Sequence, residues 1–321
     1  MKRFITCLLT LCAVAHIATA SAHPDDDGVL RILAIGNSFS DDGTEYIPAL
    51  LDNLGVKDVE IARLFVGGCT LQQHLSFYQT EQSPYIFSQS KAGENRWVQH
   101  KDRYSLRKAL AMGEWDIITL QQQSGRSGIY SSYEPYLGEL IQIIRQAQPH
   151  ALLAWHMTWS YSTNSRHGEF ANYDCDPRKM FGAIYNATQA TVEAHPEIEI
   201  IIAAGTTVQT LRHSAVNNFP HDLTRDGFHI GYGAGRYALA CTWYETLIEP
   251  HTHISMVGNT LSINKGMIAV TPLTAAYCQQ AARQAVHHNF SVGKIRGVRR
   301  TLKKIERNNK FNPTPWQVSC K

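Results

Sequence analysis

The chain has 321 residues, 44% of them hydrophobic and 18% charged, with a formal net charge of +3. So small a net charge gives no electrostatic footprint for nucleic acid. Beyond the first 22 residues, no apolar run reaches the ~18 residues that a membrane-spanning helix needs, so neither nucleic acid nor a membrane span is expected.

Residues 1–22 read as a secretory signal peptide. Lys2 and Arg3 supply the positive start, and Phe4 to Ala18 is mostly apolar, with His16 as an interruption. Ala18-Thr19-Ala20 and Ala20-Ser21-Ala22 both offer small-residue cleavage sites. Cys12 follows Leu11, which argues against lipoprotein attachment. The mature protein is therefore expected to be exported, periplasmic or secreted. Loss of Lys2 and Arg3 lowers its formal charge from +3 to +1. Cys69, Cys175, Cys241, Cys278 and Cys320 remain. Export permits disulfides, but no CxxC or Cys/His metal spacing occurs, and the sequence does not pair these residues.

Apolar strands and helical patterns then alternate. Strands are predicted over Leu30–Ile35, Val59–Phe65, Trp115–Leu120, Ala151–Trp155 and Ile198–Ala203. Helices are predicted over Glu45–Leu54, Tyr133–Ala147, Arg178–Ala194, Gly231–Ile248 and Pro272–His288. Repeated βαβ spacing implies an α/β domain with a parallel sheet covered on both faces. Gln79 to Arg103 is polar and irregular, an expected insertion near the edge or mouth of the sheet. A domain over 23–290 precedes a basic C-terminal tail, 291–321. Lys294 to Lys310 carries eight Lys or Arg and one Glu. It reads as a solvated terminal helix, or alternatively as a contact for an anionic surface.

Ligands of open parallel sheets bind at the carboxyl ends of the strands. Strand one ends in Gly36-Asn37-Ser38-Phe39-Ser40, strand two in Val66-Gly67-Gly68-Cys69-Thr70, and strand three in Gln121-Gln122-Gln123-Ser124-Gly125. Strand four ends in His156-Met157-Thr158-Trp159-Ser160-Tyr161. Beyond strand five lies Arg225-Asp226-Gly227-Phe228-His229-Ile230. The first of these lacks both GxGxxG and GxxxxGK[ST], so it is no phosphate cradle. It is not a GxSxG elbow either. What it presents is a serine, which needs a base to become a nucleophile. His229 can take the serine proton, and Asp226, three residues away, can orient the imidazole. An acyl-transfer site also needs donors for the oxyanion. Gly68 offers a bare backbone N–H, and a glutamine after strand three offers an amide. Each piece has a plainer reading: Ser38 as a helix cap, Asp226 and His229 as a surface pair or metal ligands, Gly67-Gly68 as a turn.

Together these stretches resemble the SGNH (GDSL-type) hydrolase superfamily, and more narrowly its exported bacterial DUF4886 branch. Ile35-Gly36-Asn37-Ser38-Phe39-Ser40 is similar to the first SGNH block, with Asn where many members have Asp. Val66-Gly67-Gly68-Cys69-Thr70 is similar to the second, and Asp226-Gly227-Phe228-His229 to the last. The resemblance covers residues 30 to 250. It implies a flavodoxin-like, three-layer α/β/α sandwich with a five-stranded parallel sheet. It implies a catalytic triad of Ser38, Asp226 and His229, with Ser38, Gly68 and Gln121 forming the oxyanion hole. The third block departs: Gly-x-Asn-Asp is usual there, and Leu120-Gln121-Gln122-Gln123-Ser124 stands in its place. Gln121 is the first choice as donor, with Gln122 and Gln123 open. Ser40, Asp41 and Asp42 are expected to start the following helix, where acidic residues suit the positive end.

The resemblance points to a serine esterase acting on acyl, in particular acetyl, esters of carbohydrate, with no metal and no cofactor. The partner expected is a small-molecule or glycan ester. Trp159 and Tyr161, with Trp155 nearby, are expected to offer flat faces to a sugar. Two other classes compete. One is a non-catalytic glycan-binding protein on the same fold. The other is a metal-dependent hydrolase using Asp226, His229, His221 and His213, although no His-Glu-x-x-His spacing occurs.

Overall fold

The computed structural model describes residues 27–288 and 291–311. The signal segment expected at 1–22, and Cys320, lie outside the described residues.

A single sheet organises the chain. Strands β1 (Leu30–Gly36), β2 (Val59–Phe65), β3 (Ile86–Ser90), β4 (Val98–Gln99), β5 (Ile117–Leu120), β6 (Leu152–His156) and β7 (Ile198–Ile202) take the order β4-β3-β2-β1-β5-β6-β7. The five strands from β2 to β7 through β1 pair in parallel, matching the five predicted from apolar runs. The expected five-stranded sheet nevertheless has seven strands. Segment 79–103 turns back on β2, so β3 pairs antiparallel with β2, and β4 with β3. One buried aromatic anchors this hairpin: Phe87 stacks on Tyr104 with ring centroids 4.5 Å apart. A strand that sends so few apolar side chains inward leaves little alternation to read. It also covers the edge of β2 that would otherwise be unpaired.

Helices cover both faces, because neighbouring residues of a strand point to opposite sides. Ile32, Ala34 and Ile61 face one core, and Leu33, Ile35, Ala62 and Leu64 face the other. The helices in chain order are α1 (Ser38–Thr44), α2 (Ile47–Leu54), α3 (Leu71–Gln79), α4 (Leu106–Leu110), α5 (Tyr136–Ala147), α6 (Pro177–Ala194), α7 (Ala204–Arg212), α8 (Ala234–Trp243), α9 (Glu249–Thr252), α10 (Pro272–His287) and α11 (Val298–Phe311). The first core takes side chains from α1, α2, α6, α7, α8 and α10; the second takes them from α3, α4 and α5, with Ala187 of α6. This is a three-layer arrangement. A single wide π turn, Tyr244–Ile248, links α8 to α9.

Helix α11 is not a detached tail. Thr301 and Ile305 are buried, and Val298 and Leu302 join the first core. Gln280 of α10 donates to Thr301 Oγ1 at 2.8 Å. Arg299, Arg300, Lys303 and Arg307 remain exposed. Among the described residues, the four cysteines Cys69, Cys175, Cys241 and Cys278 are free thiols.

Candidate active site

The first loop is fixed by Asn37. Its Oδ1 accepts the N–H of Phe39 at 3.0 Å, which caps α1, and its Nδ2 donates to the carbonyl of Cys69 at 3.0 Å, which ties loop one to loop two. Ser38 is the first residue of α1, where a backbone N–H has no intrahelical acceptor. Gly36 is needed for space, since its φ is not left-handed. A Cβ there would lie 2.7 Å from Ser40 Cβ and 3.2 Å from Gln121 Cδ.

Ser38, His229 and Asp226 form a connected row. Ser38 Oγ lies 2.8 Å from His229 Nε2, and His229 Nδ1 lies 2.7 Å from Asp226 Oδ2. Burial tends to raise the Asp226 carboxyl pKa. Hydrogen bonds from the His229 ring, the His229 N–H and the Phe228 N–H outweigh it and hold the group below the ordinary carboxylate value. An ionised Asp226 only accepts, so His229 Nδ1 carries the hydrogen and Nε2 is free to accept from Ser38. That is the tautomer a general base needs. The Asp226 loop is braced from beneath. Trp159 Nε1 donates to the carbonyl of Phe228 at 2.8 Å, and the Trp159 ring stacks on Phe39 at 4.1 Å.

The three consecutive glutamines have different surroundings. Gln122 is fully engaged: its Oε1 accepts from Leu71 and Gln123, and its Nε2 donates to the carbonyl and hydroxyl oxygens of Ser132. Gln123 accepts from the Arg126 N–H and donates to Glu169. Gln121 donates from Nε2 to Asn37 Oδ1 at 2.8 Å, and its Oε1 lies 2.7 Å from His156 Nδ1. Only Gln121 touches the residue beside Ser38. On loop two, Gly67 and Gly68 are exposed, and Gly68 has a φ of +62°.

Residues 31–278 match the profile of a family described as "Domain of unknown function (DUF4886)". The chain belongs to the DUF4886 family. A crystal structure of a DUF4886 family protein from Bacteroides uniformis shares 33% identity with it, over 83% of this chain and 98% of that one, with a TM-score of 0.74. A protein from Slackia heliotrinireducens, proposed to be an SGNH hydrolase, shares 19% identity over 68% of this chain and 98% of that one, with a TM-score of 0.47. No curated protein matches the chain.

Within this DUF4886 domain two expectations are corrected. Trp159 and Tyr161 are 0% exposed and cannot serve as open platforms for a sugar. Trp159 lies under Phe39 and Phe228, while the Tyr161 hydroxyl pairs with Ser124 Oγ at 2.9 Å. The aromatic residue beside this row is instead Phe228, half-buried, with its ring centroid 4.1 Å from that of His229. The four residues of the metal alternative are also engaged separately. His221 Nδ1 accepts from Asn164 Nδ2 at 3.1 Å, and His213 Nδ1 bonds the carbonyl of Gln209, while Asp226 and His229 hold each other. Among the described residues, no group of three or more His, Cys, Asp or Glu side chains is placed to hold a metal ion.

Two contributors lie outside the expected set. Asp42 does not serve the helix start, because α1 begins at Ser38; it bonds the Ile230 N–H at 2.8 Å and pairs with Arg225 and Arg236. His156 ends β6 and reaches Gln121. A histidine directly after a strand was the available signal for the second. Nothing local marks Asp42.

Proposed function

We propose that this chain is an SGNH-type serine hydrolase that cleaves small acyl esters, of the acetyl class, on carbohydrate. The observation that carries this reading is the Ser38–His229–Asp226 row, with 2.8 and 2.7 Å between consecutive polar atoms.

The chemistry follows from these positions. Ser38 Oγ attacks the ester carbonyl as His229 Nε2 takes its proton, and Asp226 stabilises the imidazolium. The tetrahedral oxyanion is received by the Ser38 and Gly68 N–H groups and by the second Nε2 hydrogen of Gln121. His229 then protonates the departing sugar alkoxide. Water, activated by the same histidine, releases the acyl group and restores Ser38.

A glycan ester suits the open mouth. A Cβ on Gly68 would meet no atom within 4 Å, and Gly67 beside it is exposed as well. A bulky alcohol can therefore stay outside while its acyl group reaches Ser38. The export expected from residues 1–22 would place the enzyme in the periplasm or outside the cell, where such polymers occur.

Labelling the purified protein with a fluorophosphonate and mapping the adduct tests the reading. The expected result is one modification, at Ser38, with loss of p-nitrophenyl acetate turnover. No adduct, or an adduct elsewhere with turnover intact, overturns it.

A further inference from the structure

We infer that His156 is a positioning residue of this site: from the end of β6 it holds the Gln121 amide in the one orientation that presents an N–H toward the oxyanion. The inference rests on the reading of Ser38 as nucleophile.

The orientation follows by elimination along a chain of contacts. The carbonyl of Cys69 can only accept, so the Asn37 amide must turn its nitrogen toward it. Asn37 Oδ1 therefore faces Gln121, 2.8 Å away, and already accepts the Phe39 N–H. Gln121 must answer with its nitrogen, which leaves Gln121 Oε1 facing His156 at 2.7 Å. That oxygen can only accept, so His156 Nδ1 must carry the hydrogen. Reversal of the Gln121 amide would set oxygen against oxygen at Asn37 and require His156 to give up its Nδ1–H for the other tautomer.

The remainder of the imidazole shows what this arrangement costs. His156 is buried, and its Nε2 has no partner among the described residues. The ring packs against Trp243, with centroids 5.1 Å apart at 71°. Burial keeps it neutral, with its pKa pushed down to about 3. An aromatic hydrocarbon would fill this wall without stranding a nitrogen, and an unpaired buried acceptor is unfavourable. Local rules are broken in this way chiefly at functional sites. The return here is a fixed Gln121, two contacts from Ser38.

The test has a catalytic arm and a spectroscopic arm. His156→Phe keeps the ring and removes the donor. It should lower kcat on p-nitrophenyl acetate about 10- to 100-fold, approaching the effect of deleting an oxyanion donor, while KM stays within about twofold. His156→Gln, which retains an N–H donor, should recover part of that loss. A merely structural role would lower the melting temperature with kcat unchanged in the folded protein, and that result overturns the inference. The spectroscopic arm reads the unsubstituted protein. Nitrogen-15 histidine spectra, with the His156 signals assigned by their loss in His156→Phe, should show a neutral Nδ1–H imidazole at His156 whose shifts stay constant from pH 5 to 9. An Nε2–H tautomer there, or titration within that range, overturns the inference whatever the turnover of the variants. A protein with the expected tautomer but an unreactive Ser38 would sink the hydrolase reading and reduce His156 to packing.

Discussion

Asp42 Oδ2 accepts the backbone N–H of Ile230 at 2.8 Å, joining the helix that begins at Ser38 to the residue that follows His229. The same carboxylate meets Arg225 Nη1 at 3.2 Å and pairs closely with Arg236. Ser38 and His229 lie 191 residues apart in sequence, and this clamp sets their separation in space. Asp42→Ala takes the nearer carboxylate from the buried Arg236 guanidinium, leaving it only Glu45 at 3.6 Å, and strips the Ile230 N–H of its acceptor. Breaking a buried ion pair by removing one member costs about 3–5 kcal/mol. Urea unfolding should show a loss of that order. At temperatures where the variant is folded, kcat/KM should still fall, because His229 is no longer held against Ser38. An unchanged unfolding midpoint would show that Asp42 is not the clamp.

The members of the triad should not be equivalent. Ser38→Ala and His229→Ala should each lower turnover by about 10³-fold or more, the scale of losing a nucleophile or its base. Asp226→Asn should cost less than either but remain a large loss, since His229 keeps its place beside Ser38 while losing the carboxylate that holds its Nδ1–H tautomer. Combining Ser38→Ala with His229→Ala should add little, because the two act as one unit. EDTA should leave wild-type turnover unchanged. Steady-state kinetics of the four variants checks the ranking, and near wild-type activity in Ser38→Ala would end the serine mechanism.

Gly36→Ala tests the close approach behind Ser38. The new methyl would stand 2.7 Å from Ser40 Cβ and 3.2 Å from Gln121 Cδ, so α1 or Gln121 has to move. Overpacking of this kind costs about 1–3 kcal/mol. Activity should fall further than stability does, because the displaced group is the proposed oxyanion donor. A variant with wild-type kcat and a lowered melting temperature would place Gln121 outside the reaction.

Stability should depend on pH through buried groups of opposite sign. Burial pushes the His74 pKa from 6.5 down to about 4. The unfolded chain then binds the proton first, so the contribution of His74 is complete above pH 6.5 and is lost as pH falls toward 4. Burial, reinforced by neighbouring Glu249, raises the Glu245 carboxyl from 4.5 to about 8. Its contribution is complete below pH 4.5 and is lost as pH rises toward 8. Denaturation of single variants separates the two. Relative to wild type, Glu245→Gln should gain stability between pH 5 and pH 8, whereas His74→Gln should gain between pH 6.5 and pH 4. Differences that do not vary with pH would show that neither group is held in its unusual state.

The sequence by itself determined the parallel core and marked the three residues that meet in the Ser38–His229–Asp226 row. Apolar runs such as Leu30–Ile35 and Val59–Phe65 are long and unbroken because buried parallel strands meet helices on both faces, and that pattern is local. Ser38 just after a strand, and Asp226 three residues before His229, are likewise local signals. Tertiary structure alone decided the rest. An aromatic residue after a strand reads the same whether it faces solvent or lies under a loop, so Trp159 and Tyr161 were legible as candidates but not as buried supports. The β3–β4 hairpin sends too few apolar side chains inward to announce itself. Asp42 and His156 find their partners 188 and 35 residues away. Burial creates that choice: away from water each polar group must find a protein partner, and which one comes within 3 Å depends on how the whole chain packs.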